Sequence, residues 1–97
     1  MTEKRNNIYE LHLKELQLKD GSEPSKAIAF DFQNHDNIFE LLERFKNREL
    51  FENKNDNIEF MVGLKLFSEV ILKNKKHPIF EEFAPAFGQL MKKLKGK

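Results

Sequence analysis

The sequence predicts an α+β fold: an N-terminal antiparallel β-hairpin followed by three helices packed on one face. Three observations carry that prediction. Apolar and polar residues alternate through residues 9–13 and again through 28–32, the period of half-buried strands. From residue 38 onward the apolar spacing changes to i, i+3, i+4, i+7, the period of a helix with one buried face. The core residues are Leu and Phe, with ten Phe and Val only at Val62 and Val70, a balance that leans away from an all-β sandwich.

The first strand is read from Tyr9, Leu11 and Leu13, which alternate with polar neighbours. Leu16 and Leu18 are one position out of phase with that set. A bulge or bend is therefore expected near Lys14 and Glu15, because a one-residue slip exchanges the two faces. The turn-rich segment Lys19-Asp20-Gly21-Ser22-Glu23-Pro24 leads to a second strand, in which Ile28, Phe30 and Phe32 alternate with Ala27, Ala29 and Asp31. Asp36 is placed to cap the first helix, with Ile38, Leu41, Leu42 and Phe45 on its apolar face and Glu40, Glu43, Arg44 and Lys46 opposite. Residues 48–53 read as a strand, a helical turn or a loop. A short extra strand there leaves room for a ubiquitin-like roll.

The second helix begins with Asp56 as the expected cap and Glu59 three residues on. Its anchors are Phe60, Leu64, Phe67 and Ile71, widened by Leu66 and Val70, so it is expected to lie centrally. Gly63 inside this helix costs about 1 kcal/mol relative to Ala, and close packing against the hairpin or the first helix is the expected reason. Pro78 stops the helix. Ile79, Phe80 and Phe83 form an apolar patch, and Pro85 opens a last helix with Phe87, Leu90, Met91 and Leu94 on one face. The whole of 1–97 reads as one domain, with 1–6 and 95–97 frayed.

The run Val62-Gly63-Leu64-Lys65-Leu66-Phe67-Ser68-Glu69-Val70-Ile71-Leu72-Lys73, then Lys76-His77-Pro78 and Phe83-Ala84-Pro85-Ala86-Phe87-Gly88, resembles the signature of a small bacterial family of unknown function, the DUF3861 family. The resemblance covers nearly the whole chain, including the hairpin and the Asn34-His35-Asp36 junction. It implies a small, cytosolic, stand-alone α+β domain, distantly similar to a ubiquitin roll, and it brings no catalytic residues to carry over.

Composition removes several classes of function. A chain of 97 residues makes one modest core and has no room for a second catalytic domain. With no Cys there is no disulfide scaffold, thiolate zinc site, iron–sulfur cluster or cysteine nucleophile. Seventeen basic against sixteen acidic residues give a net charge of +1, too little for strong steering toward nucleic acid or anionic membrane. No run approaches the ~18 apolar residues of a membrane span, and the polar N-terminus lacks the apolar stretch of a secretory signal. A cytoplasmic protein with no membrane contact is expected.

No catalytic, metal or cofactor site is expected. His12, His35 and His77 lack helical metal spacing. The Asn53-Lys54-Asn55-Asp56-Asn57 run faintly resembles a calcium loop, but Ile58 and Leu64 stand where Gly and Glu are required. Ser68 lies inside a helix rather than on a nucleophile elbow, and is expected to bond the preceding turn. Gly21, Gly63, Gly88 and Gly96 stand alone, without a phosphate-cradling pattern. The one lopsided feature is cationic: Lys73, Lys75, Lys76 and His77, with Lys92 and Lys93, are the residues offered for a partner or polyanion contact. Two readings result. The first is a small non-catalytic protein-interaction module that pairs with an unknown protein partner or with itself as a homodimer, because a two-stranded hairpin is marginal alone and its edges can pair. The alternative is weak nucleic-acid binding through the C-terminal lysines, although all three Arg (Arg5, Arg44, Arg48) lie in the other half.

Overall fold

The computed structural model describes residues 6–45 and 50–95. Two strands, β1 (Asn7–Lys14) and β2 (Ala27–Asn34), are followed by three helices, α1 (Ile38–Phe45), α2 (Lys54–Lys73) and α3 (Ala84–Lys95), with a 3-10 turn at Pro78–Phe80 between the last two. The arrangement is α+β, as the periodicities require. The chain divides into two compact units, Met1–Glu59 and Phe60–Lys97.

In the first unit the strands pair antiparallel in a register that sets Tyr9 opposite Phe32, Leu11 opposite Phe30 and Leu13 opposite Ile28. Opposed residues share a face, so all six apolar side chains lie on one side of the ribbon. The other side carries Glu10 opposite Asp31, His12 opposite Ala29 and Lys14 opposite Ala27. The expected bulge at Lys14 and Glu15 is instead the end of the strand. Glu15 N–H still donates to Lys26 C=O at 2.9 Å, but the Glu15 carboxylate accepts from both Ser25 N–H and Lys26 N–H at 2.9 Å. The side chain takes the donors that would continue the ladder, and Leu16 and Leu18 fall outside the sheet. The strands are therefore joined by residues 15–26 rather than by a short turn. Within that connection Gly21 has φ +81°, its N–H bonds Leu18 C=O at 3.0 Å, and Asp20 Oδ1 accepts from Ser22 N–H and Ser22 Oγ. That backbone conformation is one glycine adopts at little cost.

Helix α1 starts one residue later than Asp36 implies. Asn37 is the cap, its Oδ1 accepting from Glu40 N–H at 3.1 Å. Ile38 is buried, Leu41, Leu42 and Phe45 are half-buried, and Glu40, Glu43 and Arg44 face solvent, the predicted division; Lys46 lies outside the described residues. Asp56 is likewise replaced as the cap of α2. Asn53 Oδ1 accepts from Asn55 N–H at 2.8 Å and Asp56 N–H at 3.4 Å, which leaves Asp56 in the first turn, where its charge suits the helix dipole.

Among the described residues the sheet has two strands. Residues 50–53 are bends, and 48 and 49 lie outside the described residues, so the extra strand does not form at 50–53. Asn57 accounts for this: its Oδ1 accepts from Leu50 N–H (3.1 Å) and Phe51 N–H (3.0 Å), and its Nδ2 donates to Phe51 C=O (3.1 Å). One amide side chain holds the backbone groups a strand would need.

In the second unit Met61 and Leu64 are buried. Phe67, expected as an anchor of this helix, and Val70, expected to widen its apolar stripe, are instead 43% and 45% exposed. Phe67 is the hub of an aromatic cluster, with ring centroids 6.2 Å from Phe80, 5.7 Å from Phe83 and 6.2 Å from Phe87. Helix α2 ends at Lys73, ahead of Pro78, because Asn74 turns back: its side-chain amide donates to Val70 C=O at 2.8 Å. His77 then caps the 3-10 turn, its Nδ1 accepting from Ile79 N–H at 3.1 Å. Lys95 is the last residue of α3 and Asn6 donates through Nδ2 to Gln33 Oε1 at 3.2 Å; 1–5 and 96–97 lie outside the described residues.

Gly63 corrects the expectation of close packing. A Cβ built there meets nothing within 4 Å, and the residue is exposed.

Candidate functional site

The most distinctive surface is the hairpin itself, and its geometry follows from how its two ends are fixed. At the end near α1, Tyr9 presents its hydroxyl to the helix entry. It donates to Asp36 C=O at 3.2 Å and accepts from Ile38 N–H at 3.0 Å. Asn7 Nδ2 donates to Asn34 C=O (3.3 Å) and Asp36 C=O (3.1 Å), and the buried Asn34 side chain accepts from Asp36 N–H at 2.9 Å. The Tyr9 ring stands 5.4 Å from Phe32 and 6.0 Å from Phe39. This end of the apolar face is held by polar anchors.

Toward the connection the same face opens. Leu13 is 67% exposed, Ile28 57% and Phe30 43%, so the ribbon presents a contiguous apolar surface to solvent. Leu13 and Ile28, with Lys14, Glu15, Lys26 and Ala27, line a shallow open depression at this end. Five successive β2 residues, Ala27 to Asp31, are exposed, so side chains on both faces of the ribbon reach solvent there. Sequence periodicity found this face but took it as core. Period two carries no signal that separates an open apolar face from a covered one.

Two carboxylates near the opening are shifted. Glu15 is held below its usual 4.5 by the backbone N–H bonds from Ser25 and Lys26, and Asp20 is held below 3.8 by the Ser22 hydroxyl and N–H. Both shifts follow from donors aimed at the ionised oxygen and mark turn structure rather than acid–base chemistry.

The residues offered for polyanion contact lie in the second unit. Lys73 ends α2, Lys75 and Lys76 occupy the turn beyond it, and these three with His77 line one shallow depression along with Leu72 and Asn74. Lys92 and Lys93 sit in the last turn of α3, outside that depression, where they offset the helix dipole. All six are exposed, and no aromatic residue lines the depression with them. His77 spends its Nδ1 on the 3-10 turn. The other histidines stand apart, His12 beside Glu10 at 3.0 Å and His35 beside Asp36 at 3.6 Å. Among the described residues no three His, Asp or Glu side chains converge on a point suited to a metal ion. Ser68 Oγ donates to Lys65 C=O at 3.4 Å, the bond to the preceding turn that its position predicts. Among the described residues no helix is long and apolar enough to cross a membrane.

Comparison with known proteins agrees with the α+β arrangement. Residues 7–96 match a family model described as "Domain of Unknown Function with solved-structure structure (DUF3861)". The crystal structure of a protein of unknown function from Pectobacterium atrosepticum is similar: 34% identical, covering 96% of this chain and 100% of that one, with a TM-score of 0.83. No curated protein matches.

Proposed function

The chain belongs to the DUF3861 family, and from that premise we propose that it is a small, non-catalytic, cytoplasmic protein-interaction module that associates with a second copy of itself. The observation that carries the reading is the open half of the hairpin face, where Leu13, Ile28 and Phe30 are exposed side by side on a two-stranded ribbon. A ribbon of two strands is marginal in water, and three or more strands with one apolar face gain independent stability. Elsewhere among the described residues large apolar side chains are exposed as well, while Ile38, Met61 and Leu64 are the fully buried apolar ones. A surface of that kind on a small domain marks a protein contact. The non-catalytic part of the reading is supported by the histidines, which stand apart among the described residues, His12 beside Glu10, His35 beside Asp36 and His77 on the 3-10 turn.

Sedimentation equilibrium over a hundredfold concentration range tests it. The expected result is a weight-average mass rising from about that of one 11.5 kDa chain toward twice that value. A mass of one chain at every concentration up to the millimolar range overturns the self-association.

A further inference from the structure

We propose that the outer edge of β2 is the self-association site, pairing antiparallel with β2 of a second copy about a two-fold axis at Phe30 to give a continuous four-stranded sheet. The proposal rests on the self-associating reading above and names its surface, register and symmetry.

The edge is chosen by its chemistry. An open strand edge offers unpaired N–H and C=O groups, and proteins that must keep it unpaired place Lys, Pro or a bulge along it. β2 reads Ala-Ile-Ala-Phe-Asp-Phe-Gln-Asn, with no Pro, no Lys and one charge, Asp31. β1 carries Glu10, His12 and Lys14 along its length and is guarded. Among the described residues β1 is the one strand paired with β2, so no described strand occupies its other edge.

The register follows from three independent constraints. Glu15 N–H donates to Lys26 C=O, so the Lys26 backbone faces β1. Backbone groups alternate along a strand, which turns those of Ile28, Phe30 and Phe32 inward to β1 and those of Ala27, Ala29, Asp31 and Gln33 outward. An antiparallel ladder joins outward groups to outward groups, so odd positions must oppose odd positions. The apolar face demands the same parity, since only then do both copies present Ile28, Phe30 and Phe32 on one side. Charge decides among the registers that remain. An axis at Asp31 would set two carboxylates opposite each other, and an axis at Ala29 would set Lys26 against Phe32. With Phe30 on the axis, Ala29 opposes Asp31, Ile28 opposes Phe32 and Ala27 opposes Gln33. Ile28, Phe30 and Phe32 then each meet an apolar residue, and across the axis neither Asp31 meets a like charge. A strand with one charge offset from its centre is complementary to itself in this way, which is what a two-fold contact requires.

The test exchanges charges at two exposed positions. Ala29→Asp sets a new carboxylate opposite Asp31 of the other copy, twice by symmetry, and is expected to weaken the dimer roughly tenfold. The double variant A29D/D31K replaces each repulsion with an opposite pair and is expected to restore association to wild-type strength or beyond. Because the chain has no native Cys, Phe30→Cys gives a second readout. The two Phe30 positions form a non-hydrogen-bonded pair, where side chains approach most closely, so a reducible covalent dimer is expected on mild oxidation, with none from Ile8→Cys on the other face of β1. Circular dichroism checks that each variant keeps the wild-type fold. A wild-type dimer that neither weakens with Ala29→Asp nor cross-links through Phe30→Cys overturns the β2 edge while leaving self-association standing. A wild type that stays monomeric overturns both.

Discussion

Tyr9 is the single tyrosine in a chain with ten phenylalanines, and its hydroxyl is the part a phenylalanine would lack. That group serves two backbone partners at the entry to α1, Asp36 C=O and Ile38 N–H. Tyr9→Phe keeps the ring contacts with Phe32 and Phe39 and removes both bonds. Asp36 C=O keeps the bond from Asn7 Nδ2, whereas the part-buried Ile38 N–H loses its hydroxyl acceptor, which is expected to cost about 1–3 kcal/mol, measured as a lower urea midpoint at unchanged m-value. Gly63 is the opposite case. It stands in the middle of α2 with open space where a Cβ would be, so the intrinsic preference for Ala is unopposed. Gly63→Ala is expected to raise stability by up to ~1 kcal/mol. A loss of stability in that variant would show that the position is sterically filled after all.

At the scale of elements, capping and turn chemistry hold the pieces in place. Removing the α2 cap with Asn53→Ala is expected to cost about 1 kcal/mol, read by thermal unfolding. The connection between β1 and β2 is fastened by Glu15, whose carboxylate is held below 4.5 by two backbone donors. A carboxylate depressed in the folded state stabilises fully above its unfolded value, and that contribution fades as the pH falls through the lowered folded value. Wild type should therefore lose stability below about pH 4.5 more steeply than Glu15→Gln, which has nothing to titrate there; parallel profiles would remove Glu15 from that role. These elements also show what sequence makes legible. The strands, α1 and its polar face stood in the apolar period. The caps did not, because Asp36 and Asn37 both qualify, as do Asn53 and Asp56, and only backbone geometry selects one. The loop at 50–53 turned on Asn57, a residue whose four-way hydrogen bonding leaves no periodic trace. The open hairpin face was legible as an apolar face but not as an exposed one, since period two reports which residues share a side and not what lies over it.

For the molecule as a whole, a +1 net charge and a broad set of exposed apolar side chains point to association without strong electrostatic steering. In the proposed dimer only folded chains associate, so linkage would make stability depend on concentration. A tenfold rise in protein concentration is expected to raise the thermal midpoint by roughly 3–5 °C, while a constant midpoint would mean that the unfolding species is a monomer. The sequence also gives the molecule an optical property. With no tryptophan and one tyrosine, its intrinsic ultraviolet fluorescence beyond the weak phenylalanine band arises from a single phenol. That phenol is hydrogen-bonded to the peptide groups where the first strand hands over to the first helix. The emission of the unlabelled protein is therefore a reporter on that one junction, and a change in it during any transition dates the moment at which strand and helix part.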